Sequence, residues 1–328
     1  MESLFDKIFD LYGLKLILQE KVTQGFLSDN YILTNGDAKY FLKKYRFKNR
    51  DRLREVHSAK TYFSRGGIPV IMPLFTKEKE TFFEHEEGFY ALFPFIKDRQ
   101  LKKDEITETA IVSLAETLGR LHLLGKESKL PINDFYRPWN KESRLKEIEQ
   151  ILEKISGIES KTDFDVKAEK NVLIKKSIIE SNNKKYEEFN FQNDHLIHGD
   201  YMIGNVFFDT EDKVSFVFDF EKTEYAPRHF ELFRSMIYTT FFDDNITEKK
   251  LSQTKLYLDS YLQVYPIPKE ELENAFTCYH LGRAHSLWVE AEHYLRGNNR
   301  VDKLLESDAV RTNYFSENFE KLKEYLIK

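Results

Sequence analysis

The sequence predicts an α+β fold of two lobes, a small β-rich N-terminal lobe over residues 1–96 and a larger helical lobe over residues 97–328. Three observations carry that prediction. Up to residue 96, short apolar runs of strand length are separated by turn signals, of which Asn35-Gly36-Asp37 is the strongest. From Lys97 the chain turns polar, and apolar residues then recur at helical spacing almost to the C-terminus. Residues 195–221, HLIHGDYMIGNVFFDTEDKVSFVFDFE, interrupt the helical part with two short apolar runs beside two carboxylates and an amide.

Taken in order, residues 1–20 read as a helix with Leu4, Phe5, Ile8 and Leu11 on one side and a break near Gly13. A strand, a polar turn at 24–30 and a second strand through Tyr31-Ile32-Leu33 follow. The Asn-Gly turn leads into a strand from Lys39 to Tyr45, and residues 49–64 read as a helix with Leu53, Val56 and Phe63 inward and Gly66-Gly67 as its stop. Gly67-Ile68-Pro69-Val70 opens another strand, and two more are expected at 81–83 and 88–96. Pro94 lacks a backbone donor and suits an edge or linker. Residues 104–124 carry Ile106, Ala110, Ile111, Leu114, Leu118 and Leu121 at helical spacing, with His122 as a satisfied core histidine. Charged amphipathic helices are predicted at 139–156 and 166–189, and further helices at 229–242, 247–263, 269–296 and 302–326.

Composition bounds the function. A chain of 328 residues has room for about two domains. Its 50 basic and 55 acidic side chains leave a net charge of -5, which implies no nucleic-acid partner. The 28 phenylalanines suit a packed interior. A single cysteine, Cys278, cannot form an intrachain disulfide and reads as a small buried hydrophobe in a reducing compartment. The N-terminus carries acidic residues through its apolar positions, unlike a secretory signal, and no run of 18 apolar residues exists to span a membrane. The expectation is a soluble cytoplasmic protein with no membrane partner. No internal repeat or low-complexity tract is visible.

The chemistry concentrates in residues 195–221. Asp200 precedes Asn205 by five positions, and Asp219 lies fourteen beyond Asn205. Phosphoryl transfer needs a carboxylate to orient an acceptor hydroxyl and take its proton, and hard oxygen ligands for the Mg²⁺ ions that bridge the nucleotide phosphates. Asp200 suits the first role; Asn205 and Asp219 suit the second. Val214, Phe216 and Phe218 alternate onto one strand face, which places Asp219 with Ser215 and Val217 on the other. The same residues also fit a tight turn and a strand end.

His198-Gly199-Asp200, Asn205 and Phe218-Asp219-Phe220-Glu221 together resemble the aminoglycoside phosphotransferase superfamily, which includes choline, homoserine and methylthioribose kinases with a protein-kinase-like fold. The resemblance runs from about Gly25 to Leu232 and is most specific at 198–221. It implies a two-lobed protein-kinase-like fold and transfer of the γ-phosphoryl group of ATP, or GTP, to the hydroxyl of a small molecule with Mg²⁺ as cofactor. By the same resemblance Lys43 is the ATP-binding lysine and Glu55 its partner on the following helix. Gly25, Ser28 and Asn30 lie in the nucleotide-covering loop, which here has one glycine where protein kinases have three; an ordinary hairpin fits it equally. Residues 89–96 match the last small-lobe strand and hinge, LAETLGRLH the buried helix beneath the catalytic loop, and 139–189 the acceptor-recognition helices. Tyr225 to Leu232 resembles the family's g-x-P-x-x-DLA stretch, with Glu231 where aspartate is usual, in a loop-capping role.

Two rivals remain at the level of sequence. A metal-dependent hydrolase would use His198, Asp200 and Asp219 as ligands, and a non-catalytic nucleotide-binding structural or regulatory protein would use the fold alone. The acceptor is open among a cationic amino or quaternary ammonium compound, a sugar and homoserine. Asp243-Asp244 with Trp288, Glu290, Glu292 and Tyr294 would form a pocket for a cation if they converge.

Overall fold

A computed structural model describes the chain except residues 1–2, 23–29, 47, 87, 134–137 and 242–245. The N-terminal helix α1 spans Leu4–Tyr12 and starts in a capping box between Ser3 and Asp6. Gly13, at φ 71°, ends it in the left-handed conformation. The single helix expected over residues 1–20 is therefore too long. Ile17–Val22 is instead strand β1, because its residues pair antiparallel with β2, Asn30–Asn35.

Five antiparallel strands form the first sheet, in the order β1-β2-β3-β5-β4, with β3 at Ala38–Tyr45, β4 at Phe83–His85 and β5 at Gly88–Pro94. The β2–β3 hairpin turns at Gly36, whose φ of 60° is what an Asn-Gly turn supplies. Helix α2, Arg50–Arg65, is capped by the Asn49 side chain and packs Leu53, Val56, Ala59 and Phe63 inward. The strand expected at 67–70 is reduced to a bridge. Val217 donates to the Pro69 carbonyl at 2.7 Å and Ile71 donates to the Val217 carbonyl at 3.0 Å, which ties the small sheet to the central hairpin.

The helical part is built on α3, Glu108–Glu127, which is buried along Ala110, Ile111, Leu114, Leu118 and Leu121 and capped by Thr107. It packs on α7, Glu248–Val264, and on strand β6, His195–Ile197. Gly125 lies inside α3, not at its end. A Cβ there would fall 2.1 Å from the Leu196 carbonyl oxygen, so glycine is what allows helix and strand to meet. Helices α4 (Lys141–Ser156) and α5 (Asp163–Ser181) pack together, and their apolar stripes share a core with α9, Trp288–Arg296. The helix expected through 189 stops at Ser181, and residues 186–189 form a separate 3-10 turn.

Strands β7 (Val206–Phe208) and β8 (Val214–Val217) form the expected hairpin, while β6 pairs with β9, Glu224–Ala226. Helix α6 follows at Arg228–Thr240, α8 at Lys269–Ala284 and α10 at Leu305–Leu326. The helix expected from 269 to 296 breaks between Ala284 and Trp288. Among the described residues no helix is long and apolar enough to cross a membrane.

Candidate active site

The loop after β6 brings the predicted groups together by close backbone approach. Gly199 has φ 83°, and a Cβ on it would lie 2.0 Å from the Lys222 carbonyl oxygen. Only glycine satisfies both conditions, and Asp200 is its neighbour. The buried Glu231 carboxylate from α6 secures the loop by accepting from the backbone N–H of His198 at 3.0 Å and of Tyr201 at 3.1 Å. His122 from α3 lies 3.1 Å from Glu231 and 2.8 Å from the Tyr261 hydroxyl, so both ring nitrogens are satisfied in the core, as expected. Burial outweighs Glu231 and lowers the His122 pKa, so the ring is neutral: Nε2–H donates to Glu231 and Nδ1 accepts from Tyr261.

His198 is fully buried; its Nδ1 accepts from the Asp200 N–H at 3.1 Å and its Nε2 donates to the Phe218 carbonyl at 2.7 Å. With both nitrogens engaged it shapes the loop and has none left for a metal. Asn205 donates from Nδ2 to the Asp200 carbonyl at 2.8 Å, which leaves its Oδ1 available. The Phe218 N–H donates to the Asn205 carbonyl at 3.1 Å, so the two halves of the hairpin hold each other. Asp219 takes the left-handed conformation, φ 62° and ψ 57°, a strained backbone for a non-glycine residue.

Lys43 lies on β3 between Asn30 of β2 and Ala91 of β5, paired on both sides. From this rigid position its Nζ reaches the Asp219 Oδ1 at 2.8 Å and the Glu221 Oε1 at 2.6 Å. Burial would lower the lysine's pKa, but the two carboxylates raise it. Burial would likewise raise that of Asp219, and Lys43 brings it below the usual carboxylate value. The expected Lys43–Glu55 pair is not formed. Glu55 is instead bonded to Arg52 at 3.0 Å and to Asn133. Arg52 in turn donates to the Glu221 carbonyl at 2.9 Å and the Thr223 carbonyl at 2.6 Å, which anchors α2 on the turn after Asp219. Glu221 thus stands where the carboxylate of Glu55 was expected.

Asp200 carries two cations, Arg234 at 2.5 Å and Lys222 at 2.9 Å. Burial would raise its pKa, but Arg234 and then Lys222 outweigh it and hold the carboxyl at about 2. Sequence reasoning missed Glu221, Lys222 and Arg234 as site residues. Glu221 closes the quoted Phe218-Asp219-Phe220-Glu221 motif without having been given a role, Lys222 follows it directly, and only the turn of α6 places Arg234. Of the nucleotide-loop residues, Gly25 and Ser28 lie outside the described residues. Asn30 sits directly across from Lys43, with a buried Oδ1 that makes no hydrogen bond.

Among the described residues anticipated as a cation pocket, the side chains do not converge. Glu290 is fully buried and bonded to Lys175 at 3.0 Å and Asn171 at 2.7 Å. Glu292 bonds Arg296 and Asn298, Tyr294 bonds Asp165, and Trp288 is exposed. Asp243 and Asp244 lie outside the described residues.

The donors fit a hard divalent ion. Among the described residues there is no cluster of three or more His, Cys, Asp and Glu side chains for a protein-only metal cage. Asn205 Oδ1 and the Asp219 carboxylate, adjoining the same hairpin, are instead the sparse oxygen set that suits Mg²⁺, which keeps waters and phosphate oxygens in its shell.

The model of the phosphotransferase enzyme family matches residues 19–263, a span that includes Lys43, Asp200, Asn205 and Asp219. Stress response kinase A of Salmonella choleraesuis (strain SC-B67) is 26% identical over 129 residues, 38% of this chain and 38% of that protein. The chain thus matches well under half the length of that curated relative. Among solved structures, the spectinomycin phosphotransferase in complex with ADP and spectinomycin superposes with a TM-score of 0.62 at 15% identity, covering 98% of this chain and 92% of that one. A microcompartment-associated aminopropanol kinase gives a TM-score of 0.65 at 11% identity, covering 98% of both chains. These likenesses show the two-lobed kinase-like fold. The matched span takes in most of the chain and the whole constellation around Asp200 and Asp219, and the protein belongs to the phosphotransferase enzyme family.

Proposed function

We propose that this protein is a small-molecule kinase that transfers the γ-phosphoryl group of ATP, or GTP, to a hydroxyl. The observation that carries the reading is the connected set Lys43–Asp219 and Asn205–Asp200, in which a strand lysine, two oxygen ligands and a carboxylate meet at one hairpin. In this reading Lys43 binds the nucleotide phosphates, and Asn205 and Asp219 hold Mg²⁺, which when bound neutralises charge on the transferring phosphate. Asp219 cannot serve the metal and Lys43 fully at once, so Glu221 keeps the lysine placed. Asp200 accepts a hydrogen bond from the acceptor hydroxyl. The acceptor oxygen forms its bond to phosphorus as the bond to the ADP oxygen breaks, and the hydroxyl proton passes to Asp200.

A carboxyl with a pKa of about 2 is a weak base, so its first contribution is orientation, with proton transfer late in a loose transition state. Lys222 and Arg234 stand beside it, where a phosphoryl group would arrive. The hydrolase reading loses support because both nitrogens of His198 are occupied. A purely regulatory nucleotide-binding protein would not need Asp200. Nucleotide consumption against a panel of alcohols tests the reading: acceptor-dependent ADP release is expected, and nucleotide binding without any acceptor-dependent release would contradict it.

A further inference from the structure

Next to Asp200, three helices each bring two residues one turn apart into mutual contact: Arg234 and Tyr238 from α6, Tyr279 and Arg283 from α8, Asp308 and Arg311 from α10. They form a continuous path. Arg234 bonds Asp200 at 2.5 Å and lies 5.3 Å from the Tyr238 ring centre, and the other side of the path is Arg311, 4.6 Å from the same ring.

The charges along this path do not balance. The Asp308 carboxylate is already held by Lys175 at 2.8 Å and Arg283 at 3.3 Å, and the adjoining Glu290 is held by Lys175. Arg311 is 3% exposed, yet among the described residues no carboxylate pairs with it. Its Nη1 donates to the Phe241 carbonyl at 3.0 Å and its Nη2 to the Ser307 hydroxyl at 3.3 Å, while its Nε makes no hydrogen bond. Burial, and then Arg283, lower its pKa by more than Tyr238 and Asp308 raise it, as expected of a guanidinium whose nearest carboxylate is already shared by two other cations. The buried Tyr279 hydroxyl lies against Arg283, which can donate only to its oxygen, so the O–H proton is left without an acceptor. A guanidinium and a hydroxyl with unused donors are what a planar carboxylate binds.

Resting on the kinase reading above, we propose that the acceptor is an alcohol bearing a carboxylate. Its hydroxyl meets Asp200, and its carboxylate is bound by Arg311 with Tyr279 and Arg283. A cationic acceptor would have to enter against Arg234, Arg283 and Arg311, at a cost that a hydroxy acid avoids.

The test uses the full chain with Mg-ATP and three sets of probes: L-homoserine and D-glycerate with their methyl esters; glycerol 3-phosphate; and choline, 1-amino-2-propanol and glucose. Phosphorylation of a hydroxy acid is expected, with kcat/KM at least about tenfold lower for its ester. Arg311→Gln should raise KM for the acid about tenfold or more and leave KM for ATP unchanged, a split that a purely helix-capping role for Arg311 would not produce. If that variant does not fold, Tyr279→Phe, which removes only the hydroxyl, should raise the same KM by about threefold or more. Turnover of choline, aminopropanol or glucose but of neither acid would leave the kinase reading standing and overturn this one, as would turnover of glycerol 3-phosphate alone. Should no probe be turned over, thermal unfolding decides. Stabilisation of the wild type by an acid, lost in Arg311→Gln, supports the site, and no stabilisation by any acid removes it.

Discussion

Replacing Glu221 by Gln tests which carboxylate places Lys43. In the structure Glu221 lies 2.6 Å from the Lys43 Nζ, with the two side chains 5% and 11% exposed. Losing one partner of a well-buried pair costs about 3–5 kcal/mol, because the other charge is left uncompensated. Here Asp219 remains at 2.8 Å and recovers part of that, while the Arg46 contact at 3.5 Å is too exposed to add much. A loss of about 1–2 kcal/mol in holding Lys43 is left, which corresponds to roughly a tenfold rise in KM or Kd for Mg-nucleotide. Glu55→Gln removes a contact with Arg52 on its own helix and should change the same constants by less than about twofold. Calorimetry with Mg-AMP-PNP and steady-state kinetics on both variants make the comparison. Weaker nucleotide binding in Glu55→Gln than in Glu221→Gln would refute the assignment and restore the pairing expected from the sequence.

Three further outcomes are expected. Asp219→Ala should weaken metal-dependent nucleotide binding and turnover together; calorimetry with and without Mg²⁺ reads this, and unchanged Mg²⁺ dependence would count against Asp219 as a ligand. Gly199→Ala forces a left-handed backbone at φ 83° and a clash with the Lys222 carbonyl, so urea unfolding should show a loss of more than about 2 kcal/mol, and wild-type stability would contradict the close approach. Lys60, 3% exposed and 4.3 Å from the Phe93 ring centre, has its pKa lowered to about 7 by burial first and then by Lys43. Between about 7 and the ordinary value of 10.5 the unfolded chain holds a proton that the folded chain lacks, so stability rises with pH across that window. Lys60→Met should flatten that rise and stabilise the protein at pH 6; an unchanged pH slope in urea melts would show that the amine is not buried as described.

The hairpin was legible because its signals are local. Asp200, Asn205 and Asp219 fall within one stretch whose strand alternation and turn can be read directly, and Asn35-Gly36 names its own turn. Glu231 stands 33 positions after His198, so its role was legible only through the resemblance of Tyr225 to Leu232 to the family's stretch. Helix α2 was readable in extent but not in rotation. Arg52 locks it onto the backbone at Glu221 and Thr223, and the same guanidinium takes the Glu55 carboxylate that was expected on Lys43. Residues 14–22 carry apolar positions compatible with either period, and pairing with β2 decided for a strand. The break between α8 and α9 has no glycine or proline to announce it. Arg234, Arg283 and Arg311 are separated by tens of residues, so only the packing of three helices shows that they share one spot.

The central claim is that this hairpin moves a phosphoryl group onto an alcohol through Asp200. Phosphorus NMR of Mg-ATP incubated with the acceptor panel and either wild type or Asp200→Asn observes that event directly. The account predicts a new phosphomonoester resonance growing in step with ADP in the wild type, and a rate lower by on the order of 10² to 10⁴ in Asp200→Asn with nucleotide affinity little changed. Inorganic phosphate as the only product, or a phosphomonoester formed equally fast without the Asp200 carboxylate, would contradict it.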